Sequence, residues 1–298
     1  MRVLQINNLT KHYGRITAVN QLNLEVEKGQ IMGILGPNGS GKTTTLGIVL
    51  GIIKSDSGSF QWFEGQYGTD SSVLKRVGSL LETPNFYPYM TAEENLAVVA
   101  LIKGAKNVDY DHLLNIVNLA HRKETPFRGY SLGMKQRLAI AATMVGDPDV
   151  LIFDEPTNGL DPTGIAEVRE TIKDIARQGK TIFMASHILD EVEKVCSHVA
   201  IIKNGNLLAT GEVGSILGKD LTVEIAAKDN EILRGLLADV SYISKIENLP
   251  HFLSISVKQG FGAYDLSQLA FDKGIVLTHL AERKRSLEQE FLQITANN

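Results

Sequence analysis

The sequence predicts an α/β domain built on a buried parallel sheet, followed by a small α+β unit. Three observations carry that expectation. Residues 31–35, IMGIL, form a short apolar run that enters a glycine-rich turn, and the apolar positions of TTTLGIVLGI beyond it suit a helix packed on a sheet. Residues 150–153 and 181–185 are apolar with too little alternation for a half-exposed sheet, so they read as parallel strands covered on both faces. After Gly211 the texture changes to strand 221–226, helix 229–238, strands 242–247 and 252–257, helix 264–273, strand 275–280 and helix 286–294. That βαββαβ succession with a tail helix predicts a ferredoxin-like appendage.

Taken in order, the elements divide the chain into a first domain at 1–212 and a C-terminal domain at 213–298. Trp62, in FQWFEG, is expected to pack a pair of antiparallel strands. The segment 86–128 shows helical patterns at 92–102 and 110–119 and no strand pattern, which predicts a helical insertion into the core. Between the two later buried strands, Ile165, Val168, Ile172, Ile175 and Ala176 recur at helical spacing over 164–178. Cys196 sits at a helix-to-strand transition with no neighbouring metal pattern and reads as structural.

Composition excludes several classes. A chain of 298 residues with 43% hydrophobic content buries a real core, which excludes disorder. A net charge of −4 supplies no global positive field, so no nucleic-acid partner is expected. The longest apolar stretches, 46–53 and 96–102, fall far short of the roughly 20 residues that span a bilayer, so a membrane role must come through a partner. With one cysteine and no apolar leader at its start, the chain is expected to be cytosolic.

Gly36, Pro37, Asn38, Gly39, Ser40, Gly41, Lys42 and Thr43 spell G-x-x-x-x-G-K-[ST] between a predicted strand and a predicted helix, with Thr44 following. Backbone N–H groups of such a turn surround phosphates, Lys42 reaches the β and γ oxygens, and the Thr43 hydroxyl ligates Mg²⁺. Glycine is needed because a Cβ would collide with the anion or with the turn. The second half of such a site is an acid at the end of a buried strand. VLIFDE supplies Asp154, placed to hold Mg²⁺, and Glu155, placed to polarise the attacking water.

These motifs resemble the nucleotide-binding subunit of ATP-binding-cassette (ABC) transporters over about residues 1–210. The resemblance implies a P-loop NTPase domain of ABC type, with an antiparallel β subdomain beside the helical insertion, that binds ATP and Mg²⁺. YSLGMKQR, at 130–137, stands where the family has its LSGGQ signature loop. Ser131 and Gly133 match the serine and second glycine that touch the γ-phosphate held by another subunit, while Leu132 and Met134 replace a glycine and a glutamine. Asp161, in EPTNGLDP, resembles the aspartate that connects two sites across a dimer. His187, in FMASHILDE, resembles the switch histidine at the γ-phosphate, and Tyr13 resembles the aromatic that stacks on adenine. Where the family has a glutamine that reports on Mg²⁺, this chain has Glu82; a carboxylate can ligate the ion but cannot donate when ionised.

The same resemblance implies two ATPase subunits, expected to be identical, that enclose two Mg-ATP and pair Lys42 of one with Ser131 of the other. It also implies integral membrane permease subunits and a peripheral location on the cytoplasmic face of the membrane. Phe86, Tyr87, Pro88 and Tyr89 form a cluster able to receive a permease helix or to seal the insertion's own core. GSLLETPNFYPYMTAEENL and YSLGMKQRLAIA are similar to the bacitracin-resistance and lantibiotic-immunity branch, which implies ATP-driven export of a peptide antibiotic. Another transporter's ATPase is the alternative. A soluble ABC ATPase of ribosomes or DNA is disfavoured by a single phosphate loop and no heptad run.

Overall fold

A computed structural model describes the chain apart from residues 68–69, 82–84, 218–220, 259, 284–285 and 297–298. It divides into two compact units, Met1–Val213 and Gly214–Gln293, and the segment from Ile294 groups with the first. Lys203 Nζ, which donates to the Thr295 carbonyl at 2.5 Å, helps hold that returning segment.

The first unit opens with an antiparallel hairpin of β1 (Arg2–Tyr13) and β2 (Ile16–Glu27). Then β3 (Ile31–Leu35) turns into α1 (Lys42–Val49), and β4 (Ser57–Trp62), β5 (Gln66–Tyr67), α2 (Ser71–Leu74) and β6 (Val77–Leu80) follow. The insertion holds α3 (Ala92–Lys103) and α4 (Tyr110–Ile116), with 3-10 turns at Ala120–Arg122 and Phe127–Gly129. After it come α5 (Leu132–Met144), β7 (Val150–Asp154), α6 (Pro162–Arg177), β8 (Thr181–Ser186), α7 (Leu189–Val195), β9 (His198–Lys203) and β10 (Asn206–Glu212).

Six strands form one sheet in the order β10-β9-β3-β8-β7-β6, parallel except for β10 at the edge. Every residue of β7 and β8 is buried, as their largely apolar sequence predicts for strands covered on both faces. On β3, Met32 and Ile34 join the core shared with α1 and the antiparallel sheet, whereas Gly33 faces α7. A Cβ on Gly33 would stand 2.8 Å from Val192 and 2.9 Å from Cys196 Sγ, so glycine lets α7 approach the sheet. Cys196 is buried there, and desolvation pushes its thiol far above the usual range, which keeps it inert.

The second sheet runs β2-β1-β4-β5 and is antiparallel. Trp62 lies fully buried between that sheet and α1, and its indole N–H donates to the Val49 carbonyl at the end of α1 at 3.1 Å. The capping sequence Thr91-x-x-Glu94 starts α3: Thr91 accepts from the Glu94 N–H and Glu94 accepts from the Thr91 N–H.

The second unit follows α8 (Val213–Ile216) with β11 (Leu221–Ala227), α9 (Asn230–Leu237), β12 (Ile243–Asn248), β13 (Leu253–Val257), α10 (Ala263–Asp272), β14 (Leu277–Arg283) and α11 (Leu287–Ala296). The order of elements is the βαββαβ pattern that the hydrophobic periodicity predicts. Its antiparallel sheet runs β12-β13-β11-β14. Alternate residues Val223, Ile225, Leu253, Ile255 and Val257 bury one face against Leu233, Leu237 and Leu266 of the two helices.

Candidate active site

Sheet register brings the motifs together. Leu35 on β3 lies opposite Ser186 on β8, and Asp154 on β7 lies opposite Ala185. The next residues, Gly36, His187 and Glu155, therefore leave the carboxyl ends of three adjacent parallel strands side by side. That edge is where an open α/β sheet presents its ligand site.

The glycine loop at 36–41 is braced from outside the motif. A Cβ on Gly36 would lie 2.3 Å from the Ile202 carbonyl oxygen and 2.4 Å from Ser40 Oγ. Gly41 has φ +106°, and a Cβ there would stand 2.1 Å from the Ala18 carbonyl oxygen, so both glycines are sterically required. The Gly205 N–H donates to the Ser40 carbonyl at 3.0 Å, which ties the loop to the β9–β10 turn. Neither Ala18 nor Gly205 was singled out by sequence reasoning. Their contribution is a carbonyl and an N–H, which residue type does not report.

A cleft of about 340 Å³ opens over this loop, lined by Tyr13, Ile16, Ala18, residues 38–44 and Glu155. Tyr13, at the end of β1, keeps about half its surface exposed beside the cleft. Lys42 is buried, and its Nζ donates to the Gly36 carbonyl at 2.8 Å and the Pro37 carbonyl at 3.3 Å. The same ammonium pairs with Glu155 Oε1 at 3.5 Å.

Thr43 Oγ1 donates to Asp154 Oδ2 at 2.6 Å. Asp154 Oδ1 and Ser40 Oγ are buried and have no partner among the described residues. Burial pushes the Asp154 carboxyl above its usual range, with the adjacent Glu155 charge adding to the rise and the Thr43 bond opposing it. A hydroxyl beside a carboxylate with a spare oxygen is a hard-oxygen donor set that fits Mg²⁺. Among the described residues no group of three His, Cys, Asp or Glu side chains converges, so an ion at this point needs further oxygens, such as those of a nucleotide.

Glu155 has φ +48°, an uncommon conformation for a side-chain-bearing residue, and its N–H donates to the Ala185 carbonyl at 2.9 Å. The turn aims its carboxylate between Lys42 and His187. His187 Nδ1 lies 2.8 Å from Glu155 Oε2, a contact that needs the hydrogen on Nδ1.

Ser131, Gly133 and Asp161 do not line the cleft. Ser131 caps α5, accepting from the Met134 N–H at 3.2 Å, and Asp161 caps α6, accepting from the Gly164 N–H at 2.9 Å. The two loops adjoin: a Cβ on Gly133 would meet the Gly164 Cα at 3.5 Å, and Leu132 stays half exposed. Glu82 lies outside the described residues. In the aromatic cluster Phe86 packs edge-on against Phe127 at 5.2 Å, while Tyr87 and Tyr89 are exposed. Asn95, fully buried, holds that loop by accepting from the Tyr87 N–H and donating to the Tyr87 and Thr91 carbonyls.

A glycine-loop lysine, a strand-end Asp-Glu pair and a histidine on the neighbouring strand, on this two-sheet core, define an ATP-binding cassette. Residues 19–158 match the family described as ABC transporter. The chain is 34% identical to the bacitracin transport ATP-binding protein BcrA of Enterococcus faecalis, over 98% of this chain and 96% of that one. It is 40% identical to the lantibiotic transport ATP-binding protein SrtF of Streptococcus pyogenes, over 70% of this chain and 91% of that one. Among solved structures, CbiO1 of Clostridium perfringens, part of the ABC transporter complex CbiONQ, is 25% identical with a TM-score of 0.66, over 80% of this chain and 96% of that one. The chain belongs to the ATP-binding proteins of ABC transporters, and it is an ATPase subunit whose hydrolysis is coupled to transport. Among the described residues no helix is long and apolar enough to cross a membrane.

Proposed function

We propose that two identical copies of this chain close around two Mg-ATP and power a separate membrane permease, from its cytoplasmic face, to export a peptide antibiotic of the bacitracin or lantibiotic kind. The substrate class rests on the likeness to BcrA and SrtF, whose names carry those cargoes. Tyr87 and Tyr89, exposed beside the buried Asn95, are the side chains we assign to the permease contact, with Phe86 left to the insertion's own core. The C-terminal βαββαβ unit, read as a ferredoxin-like accessory domain at 213–298, takes no part in the chemistry, because every phosphate-facing residue precedes it.

In this reading Tyr13 stacks on the adenine, backbone N–H groups of 38–44 surround the phosphates, and Lys42 bonds the β and γ oxygens. Thr43 Oγ1, Asp154 and Glu82 hold the Mg²⁺, which when bound neutralises charge on those oxygens. Glu155 takes the proton of the attacking water at its carboxylate, and His187 orients that carboxylate beside the γ-phosphate. Ser131 and Gly133 complete the site of the partner copy, and Asp161 links the two sites.

The observation that supports this most is the convergence of Lys42, at the start of α1, with Glu155 and His187 at the ends of β7 and β8. Glu155→Gln tests it: ATP affinity is expected to stay within a few-fold, turnover to fall about 10²–10⁴-fold, and an ATP-bound dimer to accumulate. Equal losses of binding and turnover would remove Glu155 as the base.

A further inference from the structure

Helix α5 begins at the Ser131 loop, and along its length side-chain to backbone hydrogen bonds tie it to the insertion. Just before it, the Tyr130 hydroxyl donates to the Arg122 carbonyl at 2.9 Å. At its middle, Arg137 Nη1 donates to the carbonyls of Val117 and Asn118, at 2.8 and 2.9 Å, where α4 ends. At its far end, Lys103 Nζ of α3 donates to the carbonyls of Ala142, Thr143 and Val145 at 3.1–3.2 Å. Carbonyls at a helix end have no partner within the helix, so cations there both satisfy them and oppose the negative end of the helix dipole.

Arg137 differs from the other two ties because it also reaches α6. Its side chain is 94% buried, and Nη2 pairs with Glu167 Oε2 at 3.1 Å. One planar guanidinium thus holds the last turn of α4, its own helix and the helix capped by Asp161. The fork geometry matters: a lysine ammonium at this depth cannot meet two carbonyls on one side and a carboxylate on the other.

We infer that Arg137 is a positioning residue for the Ser131–Gly133 loop, setting the angle at which that loop meets the nucleotide of a partner copy while contributing nothing to the nucleotide cleft of its own chain. This rests on the reading that Ser131 and Gly133 serve a partner's site. Arg137 lies six residues beyond Ser131 on the same helix, so a change in the α4–α5–α6 junction is carried to the loop as a rotation of one rigid element.

The test uses the full chain in a Glu155→Gln background, which separates ATP binding from ATP-driven dimerisation. Arg137→Lys is expected to keep nucleotide affinity of the single chain within about twofold and to raise the ATP concentration needed for half-maximal dimer about tenfold. In the chain carrying native Glu155 it should raise the KM for ATP about tenfold, because hydrolysis in this reading needs the closed dimer, whereas general loss of folding would lower kcat and leave KM unchanged. Glu167→Gln, at a half-exposed position, keeps the side-chain length and should shift dimerisation in the same direction by a smaller factor.

Dimerisation unchanged in both variants would overturn the inference, as would parallel losses of single-chain affinity and dimerisation. Should Arg137→Lys fail to fold, an unshifted Glu167→Gln overturns it by itself and a shifted one supports it. A Glu155→Gln parent that stays monomeric at saturating ATP would sink the two-copy reading and this inference together, whereas a dimerising parent with unaffected variants sinks only the role of Arg137.

Discussion

His187 fixes the Glu155 carboxylate twice, through Nδ1 at 2.8 Å and through its own backbone N–H at 3.3 Å, both to Oε2. The opposite oxygen faces the Lys42 ammonium at 3.5 Å. A carboxylate held on both sides on a left-handed turn has little freedom to rotate, so its direction is set before a substrate arrives. Preorganisation of that kind lowers the reorganisation that the chemical step would otherwise require.

Removing the histidine should therefore affect chemistry and leave binding. His187→Ala is expected to lower kcat about 10–10³-fold while ATP affinity stays within a few-fold. Single-turnover hydrolysis beside equilibrium binding of a fluorescent ATP analogue measures both. A native rate in a chain with an unchanged thermal transition would show that Lys42 and the turn suffice to hold Glu155.

Gly36→Ala should damage the phosphate loop directly. The added methyl meets the Ile202 carbonyl, a backbone atom of the neighbouring strand that cannot step aside. Overpacking of this sort costs about 1–3 kcal/mol, and here the strain falls on the loop proposed to surround the phosphates. Urea denaturation should register the loss, and ATP affinity should fall about tenfold or more. Gly214→Ala is the comparison, since a Cβ there meets nothing within 4 Å and its backbone lies outside the left-handed region.

Glu191 predicts a pH dependence. It is buried on α7, four residues after His187, with Arg169 of α6 at 3.5 Å, and burial raises its carboxyl pKa more than Arg169 lowers it. The folded chain thus holds this proton more tightly than the unfolded one. The contribution to stability is full below the unfolded value of about 4.3 and is lost as pH rises through the higher folded value. The stability of the native chain relative to Glu191→Gln, by urea denaturation from about pH 4.5 to 7.5, should decline with rising pH. A flat or rising difference would mean that the Arg169 pairing outweighs desolvation.

Much of the fold was legible because its signals are local. Strands buried on both faces are largely apolar, and 31–35, 150–153 and 181–185 are. The insertion helices and the C-terminal βαββαβ order show in spacing that survives in any context, since a helix or strand must turn its apolar face inward. The long β1–β2 hairpin was not predicted as a pair of strands. Register shifts along it, with Asn8 and Gln21 at positive φ, break the two-residue alternation through most of its length, and only 22–27 keeps it.

Of the candidate site, the sequence by itself set out the residues proposed to meet phosphate and metal: the spacing of Gly36, Gly41, Lys42 and Thr43, the pair Asp154 and Glu155, and the strand-end position of His187. Those are runs of adjacent residues whose chemistry depends on type and order. Only the tertiary structure decided that β8 lies between β3 and β7, which puts His187 on Glu155, and that Ala18 and Gly205 brace the loop. It alone joined Arg137 to Val117, Asn118 and Glu167, and Lys103 to the end of α5. The partners in most of these contacts are backbone carbonyls and N–H groups, which every residue carries, so no side-chain pattern can announce them; only the register of strands and the ends of helices bring them within bonding distance.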